Sequence, residues 1–107
     1  MDDLNRKVCE KLGWKDTVTG SLTGRVGGTN PAGDLNRIAP DYTTDLNALF
    51  RDVVPKMGDV IIGTVEDRWF CNVYGVNVRN QSTTLAQGEA DTPAEAICRA
   101  FLQMEDE

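Results

Sequence analysis

The sequence predicts an α+β domain in which a small antiparallel sheet of two to four strands is covered by three helices. Three observations lead to this prediction. Apolar residues recur at helical spacing near both ends and in the middle of the chain, two apolar runs around a short polar stretch indicate a β-hairpin, and a polar run after them is typical of a third strand. The predicted order is α-α-β-β-(β)-α, and the helices must cover the sheet, so residues 1–107 form a single layered domain.

The first predicted helix runs from Asp3 to Leu12. Its apolar stripe consists of Leu4, Val8, Cys9 and Leu12. Gly13 follows, and glycine adopts the left-handed conformation that ends a helix without a steric penalty. Trp14 is then expected to fold back onto the apolar stripe, which makes it a structural residue and not a platform for a ligand.

Residues 15–40 are rich in glycine and are predicted to be irregular. Weak alternation between Asp16 and Val26 predicts a short strand or hairpin, and Gly27 to Pro31 is typical of a turn. A long loop inside a small domain is often functional. Glycine amides can hold phosphate, but the segment has neither Gly-Lys-Ser/Thr nor GxGxxG between a strand and a helix, so a phosphate loop is disfavoured.

The second predicted helix is capped by Thr43 or Thr44. Its apolar positions are Leu46, Leu49, Phe50, Val53 and Met57. Pro55 cannot donate a backbone hydrogen bond and clashes with the preceding turn, so the helix is expected to stop or kink near Val54.

Two strands are predicted next, over Asp59–Val65 and Trp69–Val78, with a turn at residues 66–68. On the second strand Phe70, Asn72, Tyr74, Val76 and Val78 share one face, and Trp69, Cys71, Val73, Gly75 and Asn77 share the other. Asn80 to Ser82 is predicted to turn the chain into a polar edge strand, Thr83–Glu89, with Leu85 as its apolar anchor.

The last helix has the clearest start signal in the chain. Thr92-Pro93-Ala94-Glu95 is a capping box with proline at the first helical position. The buried stripe is predicted to be Ala94, Ile97, Cys98, Phe101 and Leu102. Residues 103–107 end in three acids at the negative pole of the helix dipole and are predicted to be a frayed acidic tail.

Composition excludes several kinds of chemistry. The chain has 11 Lys and Arg, 17 Asp and Glu, and no His, for a net charge of -6. Without His, no Ser-His or Cys-His nucleophile exists, and the neighbouring Glu66 and Asp67 diverge in a turn, so we expect no catalytic residues and no enzyme. The cations are scattered, which disfavours generic DNA or RNA binding. With no signal peptide and no long apolar run, we expect a cytoplasmic protein that does not enter a membrane.

The three cysteines, Cys9, Cys71 and Cys98, are far apart and have no metal-ligand spacing. Cys9 and Cys98 fall on apolar faces of predicted helices. Cysteine in such places behaves as a small apolar residue, so buried free thiols are expected. The sequence predicts no metal site and no cofactor.

Two segments resemble a known family. Asp41-Tyr42-Thr43-Thr44-Asp45-Leu46 and Asp91-Thr92-Pro93-Ala94-Glu95-Ala96-Ile97-Cys98-Arg99-Ala100, together with a first helix that ends in Gly-Trp, resemble the phage ABA-sandwich domain, a family of small proteins of tailed phages and prophages. The similarity covers the first 14 residues and Pro40 to Leu102. It implies a layered α/β/α sandwich and a place in the cytoplasm of the host cell, and it brings no established chemistry.

The leading functional hypothesis is a phage accessory protein that binds a host or phage protein and does no chemistry. Exposed aromatic residues of the hairpin, Trp69 and Tyr74, or an open sheet edge would form the contact surface. A homodimer is the simplest version of this hypothesis.

The alternative hypothesis is an anti-defence protein that binds and sequesters a nucleotide-type immune signal, in a pocket formed between subunits. This needs backbone amides, an arginine for phosphate and an aromatic ring for the base. The candidate ligand-binding residues are Arg25, Gly27, Gly28, Thr29, Tyr42 and Trp69.

Overall fold

The computed structural model of the protein describes residues 4–20, 25–76, 79 and 82–104. Its elements are α1 (Leu4–Lys11), β1 (Lys15–Thr19), β2 (Val26–Thr29), β3 (Arg37–Ile38), α2 (Leu46–Asp52), α3 (Val54–Met57), β4 (Asp59–Val65), β5 (Arg68–Val76), β6 (Ser82–Ala90) and α4 (Pro93–Gln103). The predicted α+β class with antiparallel strands is confirmed. The described part of the chain has two three-stranded sheets and four helices, where one sheet and three helices were predicted.

The additional sheet lies in the glycine-rich segment and has the order β1-β2-β3. The prediction of a turn at residues 27–31 is wrong, because Gly27 and Gly28 lie within β2. A Cβ atom on Gly28 would stand 2.6 Å from the Lys15 carbonyl oxygen, so the neighbouring strand approaches too closely for any side chain. The turn begins later, where the Asn30 amide donates to the Asp34 carbonyl at 3.0 Å.

The end of α1 follows its prediction. Gly13 has a φ of +108°, and the Trp14 amide donates to the Cys9 carbonyl at 3.0 Å. This bond and the one from the Gly13 amide to the Glu10 carbonyl form a Schellman motif. Trp14 is 9% exposed and belongs to the core, as expected for a structural residue.

The start of α2 differs from its prediction. Asp45, and not Thr43 or Thr44, is the cap: its Oδ1 accepts from the Ala48 amide at 3.1 Å. The two threonines lie in the preceding turn, where the Thr43 hydroxyl donates to Asp41 at 2.6 Å. The predicted break near Val54 is confirmed, because α2 ends at Asp52 and a separate short helix, α3, follows.

The larger sheet has the order β4-β5-β6. The β4–β5 register runs from Asp59 opposite Tyr74 to Val65 opposite Arg68, which leaves a two-residue turn. Its residues, Glu66 and Asp67, have φ values of 51° and 65°, as a type I′ hairpin turn requires. The third strand is confirmed at Ser82–Ala90, but Leu85 lies at an irregularity and is half exposed, so it is not the predicted anchor. The predicted positions Asn77, Val78 and Asn80 lie outside the described residues.

Helix α4 covers one face of this sheet. The Thr92 hydroxyl accepts from the Glu95 amide at 3.3 Å, which confirms the predicted cap. At the other end the Lys11 side chain donates to the carbonyls of Phe101 and Met104, which stabilises the negative end of the helix. The acidic residues 105–107 lie outside the described residues. Of the helices in the described ranges, none is long and apolar enough to cross a membrane.

Candidate functional site

The two faces of the β4–β5–β6 sheet differ in what covers them. The covered face, under α4, carries the buried residues Cys71, Val73, Ala86, Gly88 and Ala90. The register places the alternate residues on the opposite side, which we call the open face: Asp59, Ile61, Gly63, Val65, Arg68, Phe70, Asn72, Tyr74, Thr84, Gln87 and Glu89. Ile61 and Val65 are 54% and 60% exposed, so the open face presents apolar side chains to solvent.

Phe70 lies across the open face. A Cβ atom on Gly63, the partner of Phe70 on β4, would stand 3.0 Å from its Cζ atom, so the ring covers the glycine. A shallow cavity of about 350 Å³ lies beside the ring, and its lining includes Val65, Arg68 and Glu89. The open face therefore combines an aromatic ring and an arginine, residue types enriched in protein interfaces, with exposed apolar side chains.

The open face continues to an unpaired strand edge. Among the described residues β4 pairs with β5 alone, so its other edge is free of strand partners. The strand has seven residues and contains no proline or lysine, the residue types with which proteins protect an edge from pairing. Unpaired backbone groups at such an edge can bind a strand of another chain.

The two predicted contact residues lie on opposite sides of the sheet. Trp69 is half-buried and packs against the core on the covered face. Tyr74 is on the open face, where its hydroxyl oxygen accepts from the Asn72 amide group at 3.2 Å. The structure therefore does not bring Trp69 and Tyr74 into one surface, and the aromatic residue that shares the open face with Tyr74 is Phe70.

The four predicted ligand residues of the glycine-rich segment take part in backbone contacts or strand pairing. The Arg25 guanidinium donates to the Ala39 carbonyl at 3.1 Å. Gly27 and Gly28 pair with β3, and a Cβ atom on Gly27 would stand 3.2 Å from the Arg37 carbonyl oxygen. Thr29 pairs with Lys15 at the end of β1. Gly27, Gly28 and Thr29 lie in β2 and Arg25 directly precedes it, and none of the four lines either of the two cavities.

Two predicted ligand residues remain: Trp69 lines the smaller cavity beside Phe70, and Tyr42 lies at a different groove. Its ring is 2% exposed, and its hydroxyl donates to the Asp52 carboxylate at 2.7 Å. The groove beside it, which we call the Tyr42 groove, has a volume of about 570 Å³. Its walls include Trp14, Pro31, Pro40, Tyr42 and Pro55, and its rim includes Arg51, Asp52 and Lys56.

The carboxylate of Asp52 organises this rim. Arg51 donates to Oδ1 from Nε and to Oδ2 from Nη2, both at 2.8 Å, and the Tyr42 hydroxyl also donates to Oδ2. The hydrogen bond from Arg51 lowers the pKa of Asp52 from its ordinary value; burial opposes the effect, and Tyr42 and Lys56 add to it. Burial, followed by the bond to Asp52, raises the pKa of Tyr42, which stays protonated at neutral pH.

In comparison with known proteins, the chain matches no family model, no curated sequence and no solved structure. The open face and the Tyr42 groove are therefore interpreted from the positions and chemistry of their residues.

The cysteines are buried free thiols, as expected. Burial raises the pKa of Cys9 and Cys98 to about 12 and that of Cys71 to about 11. Thiols with such pKa values are protonated at neutral pH and are poor nucleophiles or metal ligands. Within the described ranges, no three Cys, Asp or Glu side chains are grouped so as to hold a metal ion.

Sequence reasoning did not find the Tyr42 groove. Its walls come from four places in the chain, around Trp14, Pro31, Pro40 and Pro55, and no local pattern indicates that they meet. The signal for Phe70 was present, because the alternation of β5 placed it on the same face as Tyr74. Only the position of α4 shows which of the two faces stays open.

Proposed function

We propose that this protein is a non-enzymatic binding module that recognises another protein through the open face. The observation that carries the proposal is the row of exposed apolar side chains around Phe70. The covered face of the same sheet is closed by α4, whereas Ile61 and Val65 remain more than half exposed. Exposed apolar patches with a polar surround mark interaction sites in many proteins.

The resemblance to phage ABA-sandwich proteins supplies the biological setting of this proposal. We infer that the partner is a host or phage protein in the cytoplasm of an infected cell. In a layered α/β/α arrangement the open face would be covered by a second layer. A helix or strand of the partner, laid over Phe70, would provide that layer.

A homodimer through the edge of β4 is the simplest version of the proposal. Antiparallel pairing of two copies, centred on Ile62, sets Asp59 opposite Val65 and Val60 opposite Thr64. No like charges face each other in this register, so the edge is compatible with itself. Native mass spectrometry of the purified protein tests this version, for which we expect a dimer.

Affinity capture tests the role of the open face. We expect Ile61→Glu to lose a partner that the unchanged protein captures from an extract of infected cells, because a charge on the open face opposes burial. The matched control is Leu35→Glu. Leu35 is 71% exposed but lies outside the β4–β5–β6 sheet, so the same chemical change there should leave capture unaffected.

Equal capture by all three proteins would show that the open face is not the contact surface. Loss with both variants would indicate that added negative charge, wherever it is placed, prevents binding. Urea unfolding of each variant checks that the fold is unchanged, as expected for substitutions of exposed residues.

The alternative function, sequestration of a nucleotide-type signal, has one supporting observation, which is the Tyr42 groove. Its volume lies in the range of small-molecule sites. The arginine available there is Arg51, and Arg25 bonds to the backbone elsewhere. This alternative predicts that a nucleotide adds its mass to the protein in native mass spectrometry.

A further inference from the structure

The Tyr42 groove has rigid apolar walls. Pro31, Pro40 and Pro55 contribute three proline rings, and Trp14 contributes part of an indole. Proline and tryptophan side chains have few rotatable bonds, so little conformational entropy is lost when a flat molecule packs against them. Such walls favour a rigid apolar body, such as a fused ring system, over a flexible one, because a rigid ligand also loses little conformational entropy on binding.

Tyr42 is itself one of the residues that form the walls of the groove. Tyr42 is almost fully buried, and its hydroxyl donates to Asp52, so it offers little of its ring for stacking. Its amide is fixed as well, because it donates to the Asn5 side chain at 2.8 Å. Tyr42 is thus held at both its hydroxyl and its backbone amide.

The rim carries a net positive charge on an acidic protein. Asp52 already accepts bonds from Arg51 and Tyr42, and its negative charge balances that of Arg51. The Lys56 ammonium group makes no hydrogen bond or salt bridge to another of the described residues, whereas the backbone amide of Lys56 donates to the Val53 carbonyl. The rim therefore has a net charge of about +1 at neutral pH, whereas the whole chain has -6.

We propose that the Tyr42 groove binds a free small molecule that has a flat apolar ring system and one acidic group. The ring system lies against the proline and tryptophan walls, and the acidic group lies at Lys56 and the outer edge of Arg51. A volume of about 570 Å³ accommodates a molecule with two or more fused rings. This site is separate from the open face, so the failure of either proposal leaves the other intact.

A pair of probes tests the ligand class. Naphthalene-2-sulfonate has a flat ring system and one negative charge, and naphthalene-2-methanol has the same rings without the charge. Titration calorimetry should show one binding site for the sulfonate and weaker binding, by about fivefold, for the alcohol, since an exposed charge contact contributes modestly.

Three variants test the location. Lys56→Glu should weaken sulfonate binding by about tenfold, because the charge is reversed, and it should leave the affinity for the alcohol nearly unchanged. Ala32→Trp fills the groove from an exposed turn position and should abolish binding of both probes. Lys7→Glu is the matched control, since Lys7 is exposed on α1 and does not line the groove.

The results that overturn the proposal are equally specific. Sulfonate binding that survives Ala32→Trp would place the site elsewhere. Equal weakening by Lys7→Glu and Lys56→Glu would attribute binding to the overall charge of the protein. No binding of either probe at about 1 mM, with the fold confirmed by circular dichroism, would exclude the ligand class.

Discussion

The two faces of the β4–β5–β6 sheet belong to the same strands but differ in what packs against them: helix backbone on the covered face and a side chain on the open face. On the covered face a Cβ atom on Gly88 would stand 2.3 Å from the Ala96 carbonyl oxygen of α4. On the open face a Cβ atom on Gly63 would stand 3.0 Å from the end of the Phe70 side chain. One glycine is required by backbone that cannot move, and the other lies under a side chain that can.

This difference shows on which face the sheet can accept a larger residue. The covered face is a close contact between helix and strand, where small residues are essential. On the open face a larger side chain can extend into solvent, since Ile61 and Val65 are already more than half exposed. A solvent-exposed face therefore lies on the same sheet as a face that opposes added side-chain volume, and matched substitutions on the two faces compare them.

The largest difference is expected between two isoleucines. Ile97 of α4 is fully buried above the covered face, and Ile61 is 54% exposed on the open face. Ile97→Ala should lower the free energy of unfolding by about 3.5 kcal/mol, since it leaves a cavity. Ile61→Ala should change it by less than about 1 kcal/mol. Urea unfolding measures both, and similar losses would refute the distinction between the faces.

The glycines give the second comparison. Gly88→Ala should lower the free energy of unfolding by about 3 kcal/mol, because the helix must move away from the strand. Gly63→Ala should change it by about 1 kcal/mol at most, in either direction, since the Phe70 ring can shift and the unfolded chain loses freedom. Thermal and urea unfolding measure both variants. A stable Gly88→Ala protein would mean that α4 lies farther from β6.

Two tyrosines extend the comparison to hydrogen bonds. Tyr42→Phe should cost about 1.5 kcal/mol, because its buried hydroxyl donates to an ionised carboxylate. Tyr74→Phe should cost about 0.5 kcal/mol, because its hydroxyl accepts from Asn72 on the half-exposed open face. Urea unfolding at pH 7 measures both, and an equal cost would show that burial does not decide their contributions.

The smallest expected effect is a pH dependence of the Tyr42 contribution. Because the folded pKa of Asp52 lies below the ordinary 3.8, its stabilisation is fully present above the unfolded value and is lost as pH falls through the folded one. The difference between the unchanged protein and Tyr42→Phe should therefore shrink in acid. Unfolding series from pH 7 downward measure it, and Tyr74→Phe is the constant reference, because within the described ranges the Tyr74 hydroxyl bonds to the Asn72 amide group and to no carboxylate.

The sequence predicted helix boundaries best where a single residue type, such as glycine, proline or a capping threonine, decides the backbone conformation. The end of α1 at Gly13, the break before Pro55 and the cap at Thr92 depend on the backbone of a few consecutive residues, and all three are confirmed. The cap of α2 was assigned to a threonine because three neighbouring residues can all cap a helix. The turn at residues 41–44 uses the threonines and leaves Asp45 for the cap.

The sequence by itself determined the α+β class, the hairpin, the alternation of β5 and the burial of the cysteines, since these follow from periodicity and backbone chemistry within one segment. Tertiary structure alone decided that Gly27 and Gly28 lie within a strand that its neighbours approach closely, and that the face with Phe70 is open. It also brought Trp14 and Tyr42 to one groove with Arg51. These outcomes depend on contacts between segments that are far apart in the sequence. Such contacts cannot be predicted from the spacing of neighbouring residues.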